Sequence, residues 1–175
     1  MRLRREIGFS VDGVEGLLKV VTGPFGCRVW QDGRALEGEK HVYRVRTSDG
    51  GANGQLKIVR WFDNTVVAVY RGQKTRLDPP LSGREYVVGG MPLLIAPVVC
   101  VCGFNGWFGE FFASFAGGYV VGMLGTLASL VALVFNYTFM RIDKAPGRQA
   151  RFAGRTFLIV AVAVAALLRG VGLLF

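Results

Sequence analysis

The sequence predicts a mixed fold, in which an N-terminal all-β antiparallel sandwich or meander is followed by an α-helical bundle with three transmembrane passes. From Tyr86 to Met140 the chain has 55 residues with Glu110 as the only formally charged side chain. A bilayer's hydrocarbon core is crossed by roughly 20 apolar helical residues, so this run is long enough for two crossings and a turn. Residues 1–85 hold 15 Lys or Arg and 10 Asp or Glu, whereas residues 86–175 hold 6 and 2. The composition therefore divides the chain near residue 85.

Residues 1–80 predict a β domain, because segments rich in β-branched and aromatic residues alternate with turn signals. Asp-Gly pairs at 12–13, 32–33 and 49–50 favour tight hairpins, which need a positive φ. No helical periodicity interrupts the pattern, which argues against a βαβ nucleotide-binding fold. The predicted strands are Leu3–Phe9, Leu17–Thr22, Cys27–Gln31, His41–Thr47, Gln55–Phe62, Thr65–Tyr70 and Lys74–Leu77.

The β domain also contains an internal repeat. Leu-Lys-Val-Val around Lys19 matches Leu-Lys-Ile-Val around Lys57, 38 positions later, and Gly33 matches Gly72, 39 positions later. Two copies of a hairpin-plus-strand unit would pack as a small sandwich. The alternative is that antiparallel strands with glycine turns are similar by chance.

These short strands, the Asp-Gly hairpins, the aromatic residue on the strand before each turn and the two-unit repeat together resemble the β-sandwich of the Fas apoptotic inhibitory molecule family. The resemblance covers residues 5–78 and does not extend to the membrane segments. It implies a non-catalytic binding or scaffolding module, and it assigns no functional residue.

The remaining chain predicts a connector and a transmembrane domain. The connector is assigned to residues 81–90, after Pro79 and Pro80, because proline fixes φ and disfavours helix in the residue before it. The transmembrane domain is assigned to residues 91–175, with helices at about 91–112, 117–139 and 156–174. Gly118, Gly122 and Gly125 predict a close-packing helix face, either within the chain or in a homodimer.

The distribution of basic residues predicts the orientation in the membrane. The positive-inside rule places the loop 141–155 in the cytoplasm, where its cations would contact anionic headgroups. The N-terminal domain would share that side and the C-terminus would lie on the opposite side, as expected for an integral protein of a cell or inner membrane. The acidic residues Glu6, Asp12 and Glu15 argue against a cleavable signal peptide. The basic residues of this loop are Arg141, Lys144, Arg148, Arg151 and Arg155.

Polar residues are rare in the predicted helices. Glu110 and Arg169 are expected at the same membrane level, because Arg169 lies about 21 Å along a helix from Arg155. They either form an ion pair that closes the outer end of the bundle or are both solvated. Asn136 is expected to form a hydrogen bond between helices.

No residue constellation predicts catalysis, a metal site or a cofactor. The chain has a single histidine, His41, and Cys100 and Cys102 have no second pair that would complete a zinc site. The leading interpretation is a non-catalytic membrane protein whose cytoplasmic β domain binds an unidentified protein partner or helps an assembly form. The alternatives are an oligomeric channel or transporter protomer with a path lined by Asn136, Thr138 or Glu110, a lipid-acting enzyme, and a nucleic-acid binder. The nucleic-acid alternative would use Trp30, Phe62 and Tyr70 for stacking, whereas core packing is the commoner role of such residues.

Overall fold

The chain forms two compact units that divide between Leu81 and Ser82. The computed structural model describes residues 4–24, 26–49 and 54–172. The first unit contains two antiparallel sheets, and the second contains helices, three of which are long and apolar enough to cross a membrane. This arrangement confirms the predicted fold class.

The first unit is built from two meanders of consecutive strands. The first sheet joins the first four strands in chain order, and the second joins the remaining five in chain order. Each predicted strand has a counterpart, but the predicted first residue, Leu3, lies outside the described residues. The fourth and fifth strands, Arg34–Ala35 and Gly38–Glu39, were not predicted, because a strand of two residues shows no alternation. The strands are β1 Arg5–Phe9, β2 Leu18–Thr22, β3 Cys27–Gln31, β4 Arg34–Ala35, β5 Gly38–Glu39, β6 Val42–Val45, β7 Gly54–Arg60, β8 Val66–Tyr70 and β9 Gln73–Arg76.

The pairing of strands confirms the internal repeat. Leu18 pairs with Gln31 across β2 and β3, and Leu56 pairs with Tyr70 at the matching place across β7 and β8. Each copy then turns through two residues of positive φ: 49° and 80° at Asp32-Gly33, and 48° and 81° at Arg71-Gly72. A type I′ hairpin requires positive φ at both central positions. The second turn has Arg71 where the first has Asp32. Of the two residues of the second turn, only Gly72 is a typical turn residue that the sequence shows.

The two sheets share one hydrophobic core, so the unit is a sandwich. Leu18, Val20 and Val29 of the first sheet pack with buried residues of the second. An isolated bridge between Val14 and Thr47 joins the sheets at the edge of this core. The buried Gln31 supports the junction, because its amide donates to the carbonyl oxygen of Glu15 at 2.6 Å and accepts from a backbone N–H of the facing sheet. The residues contributed by the second sheet are Tyr43, Val45, Leu56, Ile58, Val66, Ala68 and Tyr70.

A buried ion pair holds the last residues of the sandwich to its first strand. Asp78 Oδ2 accepts a hydrogen bond from Arg5 Nη2 at 2.9 Å and another from the backbone N–H of Val66 at 2.8 Å. The side chains of Arg5 and Asp78 are 14% and 3% exposed. The charges are therefore held in place next to the point where the chain leaves the sandwich.

The second unit is organised around one long central helix. This helix, α4 at Phe115–Ile142, packs against each of the other helices and against a 3₁₀ helix at Met91–Leu94. The candidate membrane spans are Gly83–Phe104, Ala116–Ile142 and Pro146–Val171. The helices are α1 Gly83–Gly90, α2 Ile95–Phe104, α3 Glu110–Ala113, α4 Phe115–Ile142 and α5 Pro146–Gly172.

The helices begin and end at places different from those predicted. The first span starts at Gly83, so most of the expected connector 81–90 is helical, and it ends at Phe104 rather than near residue 112. A capping box of Ser82 and Glu85 starts it, and Gly106, with a φ of 73°, follows its end. The third helix starts at Pro146 instead of residue 156, since proline fits the first position of a helix. Its expected end, residue 174, lies outside the described residues.

Candidate functional site

A group of interacting polar residues in the helical unit surrounds Glu85, in the first turn of α1. Glu85 Oε2 accepts hydrogen bonds from the backbone N–H of Ser82 at 2.8 Å and from its hydroxyl at 3.0 Å. The hydroxyl of Ser82 in turn accepts from the N–H of Glu85 at 3.3 Å. This reciprocal cap satisfies N–H groups that the first turn of a helix leaves unpaired, and it fixes the Glu85 carboxylate in one orientation.

Gln149 ties Glu85 to the junction between α4 and α5. Its buried side-chain amide donates to the carbonyl oxygens of Met140 and Asp143, the first at 3.3 Å. It also donates to Glu85 Oε1 at 3.3 Å. The last carbonyl groups of a helix lack partners within the helix, so Gln149 completes the end of α4 and holds α1 beside it. Sequence reasoning missed this residue, because a single glutamine inside a basic segment gives no pattern.

The three-residue connection between α4 and α5 carries a second set of charges. Asp143 Oδ1 accepts from the N–H of Ala145 at 3.0 Å, and its Oδ2 accepts from Arg148 Nη1, also at 3.0 Å. The backbone N–H of Ala145, followed by Arg148, holds the pKa of Asp143 below its ordinary value. Lys144 Nζ lies 3.8 Å from Glu85 Oε1. The connection is therefore held by the carboxylate of its own Asp143 and by that of Glu85 on α1.

A cleft of about 250 Å³ opens between α1 and this connection. Its lining combines both signs of charge with an apolar residue, Val88. Arg84 is exposed, and within the described part of the chain its guanidinium forms no hydrogen bond or ion pair. The residues around the cleft are Ser82, Arg84, Glu85, Val88, Lys144, Pro146 and Gln149.

The predicted basic loop is mostly helical, and its five cations have different surroundings. Arg141 is in the last turn of α4 and only 4% exposed, so the expectation that it contacts headgroups does not fit its burial. Lys144 lies in the connection, beside Glu85. Arg148, Arg151 and Arg155 are exposed in the first turns of α5 and are spaced by three and four positions. These three therefore share one helix face and form the part of the predicted surface that is open to headgroups.

The small residues of α4 face α2 of the same chain. A Cβ atom added to Gly118 would lie 3.0 Å from Phe104 Cε1, and one added to Gly125 would lie 3.1 Å from Ala96 Cα. Gly122 lies between them, opposite Cys100. The three glycines thus follow α2 at successive turns and let the two backbones approach. Of the two predicted uses, the structure shows packing within the chain.

Asn136 does not form the expected hydrogen bond between helices. Its side chain is fully buried on α4, and neither its amide nitrogen nor its amide oxygen has a hydrogen-bond partner among the described residues. Ser129, two turns earlier, forms the contact that Asn136 lacks: its hydroxyl accepts from the N–H of Ala96 at 3.2 Å. Thr138 is also buried, and its hydroxyl donates to the carbonyl oxygen of Val134. Asn136 and Thr138 are therefore not exposed on the surface of the chain, where they would have to line a path between subunits.

We expect Asn136→Leu to raise the midpoint of thermal unfolding in detergent. An unpaired buried amide destabilises a fold by about 1–3 kcal/mol, and leucine has the same branched side-chain skeleton without polar atoms. Ser129→Ala is the matched control, because it removes a hydrogen bond that is made and should lower the midpoint. A fall in the midpoint for both variants would show that the Asn136 amide is paired.

At the opposite end of the helical unit, Arg169 reaches the turn that precedes α3. Arg169 Nη1 donates to the carbonyl oxygen of Trp107 at 3.1 Å. Glu110 is exposed at the start of α3, three residues further along, so the two predicted partners lie near one level. No ion pair joins Glu110 to Arg169 in the described part of the chain; the guanidinium bonds to the nearby backbone instead.

The aromatic residues of the β unit differ in exposure. Tyr70 is buried in the core and Trp30 is half-buried, whereas Trp61 and Phe62 are 60% and 67% exposed. The expectation that Phe62 fills the core is therefore wrong. Because Tyr70 is buried, the three aromatics proposed for base stacking do not form one exposed platform.

His41 has a sulfur neighbour that the sequence did not indicate. Its exposed ring places Nδ1 3.5 Å from Cys27 Sγ, and the Tyr43 hydroxyl donates to the carbonyl oxygen of Cys27 at 3.3 Å. Burial, reinforced by Cys27, raises the pKa of Tyr43 to about 12. Across the described ranges, no group of three or more His, Cys, Asp or Glu side chains is arranged to hold a metal ion.

Comparisons of the chain with protein-family models, with curated proteins and with solved structures found no match.

Proposed function

We propose that this chain is a non-catalytic integral membrane protein whose β unit, on the cytoplasmic side, binds a protein partner or helps an assembly form. The three apolar spans support membrane integration. The exposed cations Lys144, Arg148, Arg151 and Arg155 support a cytoplasmic α4–α5 connection, by the positive-inside rule. Two spans separate the β unit from that connection, so both lie on the same side of the membrane.

The observation that carries the binding role is the exposed pair Trp61 and Phe62 in the turn between β7 and β8. Large apolar side chains that are exposed together mark interaction surfaces, and tryptophan is enriched among residues that dominate binding energy. The resemblance to the Fas apoptotic inhibitory molecule sandwich, which implies a binding or scaffolding module, stays a prediction in accord with this role.

The turn holds these aromatics in a fixed position. Asp63 turns inward, where its carboxylate accepts from the N–H of Thr65 at 3.0 Å and from the Thr65 hydroxyl at 2.7 Å. The N–H of Trp61 donates to the carbonyl oxygen of Thr65, and the N–H of Asn64 donates to that of Trp61. The neighbouring Arg60 side chain donates to the carbonyl oxygen of Gly23, in the turn between β2 and β3. A partner would therefore meet a pre-organised contact and would order little of the chain on binding.

Photo-crosslinking in intact membranes tests this function. We expect a photoreactive amino acid at position 61 to give a discrete protein adduct, and one at the exposed position 28 on β3 to give none. Phe62→Ser should weaken the adduct by about 30-fold, the ratio that corresponds to roughly 2 kcal/mol for a dominant interface residue. Adducts of equal strength from positions 61 and 28, or adducts with lipid alone from position 61, would contradict the proposal.

A further inference from the structure

The cleft between α1 and the α4–α5 connection lies where two candidate spans begin. Gly83 and Pro146 are the first residues of their spans, and both border or adjoin the cleft. Helices that start at one level enter the hydrocarbon region together, so the cleft opens at the level of lipid headgroups. Its volume of about 250 Å³ is below the range of whole-ligand pockets, roughly 300–1,000 Å³, and suits a headgroup rather than a complete lipid.

The charges around the cleft are arranged as a dipole. Glu85 supplies one negative charge, and its side chain is 19% exposed. Hydrogen bonds from Ser82 and Gln149 fix the orientation of its carboxylate. Arg84 and Lys144 supply positive charge at the rim, and the side chain of Lys144 is 54% exposed. Lys144 Nζ lies 3.8 Å from Glu85 Oε1, in a long ion pair whose lysine is more than half exposed, so a ligand's ammonium group can compete for the carboxylate. A ligand with a cationic and an anionic group a few atoms apart would match both sets of charges.

Apolar surface continues from the cleft along both flanking helices. Val88 lines the cleft, and Val87 and Leu94 are exposed further along the first span. Leu158 and Ile159 are exposed on α5. Acyl chains could therefore lie against protein on either side while their headgroup occupies the cleft.

From this juxtaposition we propose that the cleft is a binding site for the headgroup of a zwitterionic aminophospholipid. The primary ammonium group donates hydrogen bonds to the Glu85 carboxylate, and the phosphate accepts from Arg84 and Lys144. A purely anionic headgroup gains the same cations but is repelled by Glu85. A choline headgroup carries the right charges but has no N–H to donate. The site thus distinguishes phosphatidylethanolamine from both, and it requires only that the helical unit lies in a membrane.

Native mass spectrometry of the full chain in mild detergent tests this site, with phosphatidylethanolamine, phosphatidylglycerol and phosphatidylcholine added separately. We expect phosphatidylethanolamine to bind about tenfold more tightly than either of the other lipids. Glu85→Gln keeps an acceptor for the capping box, so the helix should persist while the affinity for phosphatidylethanolamine falls at least fivefold. Arg84→Gln should lower the affinity for phosphatidylethanolamine and for phosphatidylglycerol together. Glu110→Gln, at the other end of the unit, is the matched control and should change neither.

Two outcomes would overturn the proposal. One is tighter binding of phosphatidylglycerol than of phosphatidylethanolamine by the unmodified chain. The other is equal binding of phosphatidylethanolamine by the unmodified chain and Glu85→Gln, when circular dichroism shows the same helix content in both. A failure here leaves the partner-binding role of the β unit untouched, because that role is read from crosslinks at position 61.

Discussion

Replacement of Asp78 by alanine is expected to lower the free energy of unfolding of the β unit by about 3–5 kcal/mol. The substitution leaves the guanidinium of Arg5 largely buried without its carboxylate, and it removes the acceptor of the Val66 N–H. Removing one partner of a buried ion pair destabilises a fold far more than removing one partner of an exposed pair, because water does not reach the site to replace the lost contact. Urea unfolding of the full chain in micelles measures this loss. A Trp107→Phe background confines the tryptophan fluorescence to Trp30 and Trp61 of the β unit.

The matched control for this variant is Glu6→Ala. Glu6 forms an ion pair with Lys19 across β1 and β2, and the two side chains are 61% and 46% exposed. Exposed pairs of this kind contribute about 0–1 kcal/mol, so Glu6→Ala should shift the unfolding midpoint little. Equal effects of Asp78→Ala and Glu6→Ala would show that the buried pair does not hold the end of the sandwich.

Gly125→Leu is expected to destabilise the helical unit by about 1–3 kcal/mol or more, since overpacking a close contact shifts the backbone. Even the Cβ atom would lie 3.1 Å from Ala96 Cα, and the backbone cannot rotate away as a flexible side chain would. We expect α2 and α4 to separate, which thermal unfolding in detergent would register as a lower midpoint and an earlier loss of helix.

Gly170→Leu provides the comparison on α5, because nothing lies within 4 Å of a Cβ atom at that position. It should leave the midpoint nearly unchanged. A large loss for Gly170→Leu and none for Gly125→Leu would show that the glycine face of α4 packs elsewhere, as it would in a homodimer.

The sequence was sufficient to predict the division into two parts, the strands and the repeat, because each follows from a local pattern. Alternation and Asp-Gly pairs mark strands such as β2 and β3, and uncharged runs mark spans. The two copies of Leu-Lys-Val/Ile-Val align because each lies on a central strand of its sheet. Such features depend on neighbours in the chain, which a sequence shows directly.

The helix boundaries and the polar site were not predicted, for two reasons. Ser82-Gly-Arg-Glu85 is a capping-box sequence, but the prolines just before it favoured a connector instead of a helix start. Asn105-Gly106 is typical of a helix end, but it lies within a long apolar run that favoured a continuous span. The contacts of Gln149 with Glu85 and of Arg169 with Trp107 join residues 64 and 62 positions apart. Their partners depend on how three helices pack, and a single sequence does not show that packing.

Site-specific labelling of the full chain in intact cells measures on which side of the membrane each part of the chain lies. Single cysteines would be placed at Arg28 in the β unit, at Glu110 and at Arg148, in a background whose native cysteines are alanine, and exposed to a membrane-impermeant maleimide. We expect position 110 to react in intact cells, whereas positions 28 and 148 should react only after lysis. Reaction of position 28 in intact cells, or equal reaction of positions 110 and 148, would contradict three crossings with the β unit on the cytoplasmic side.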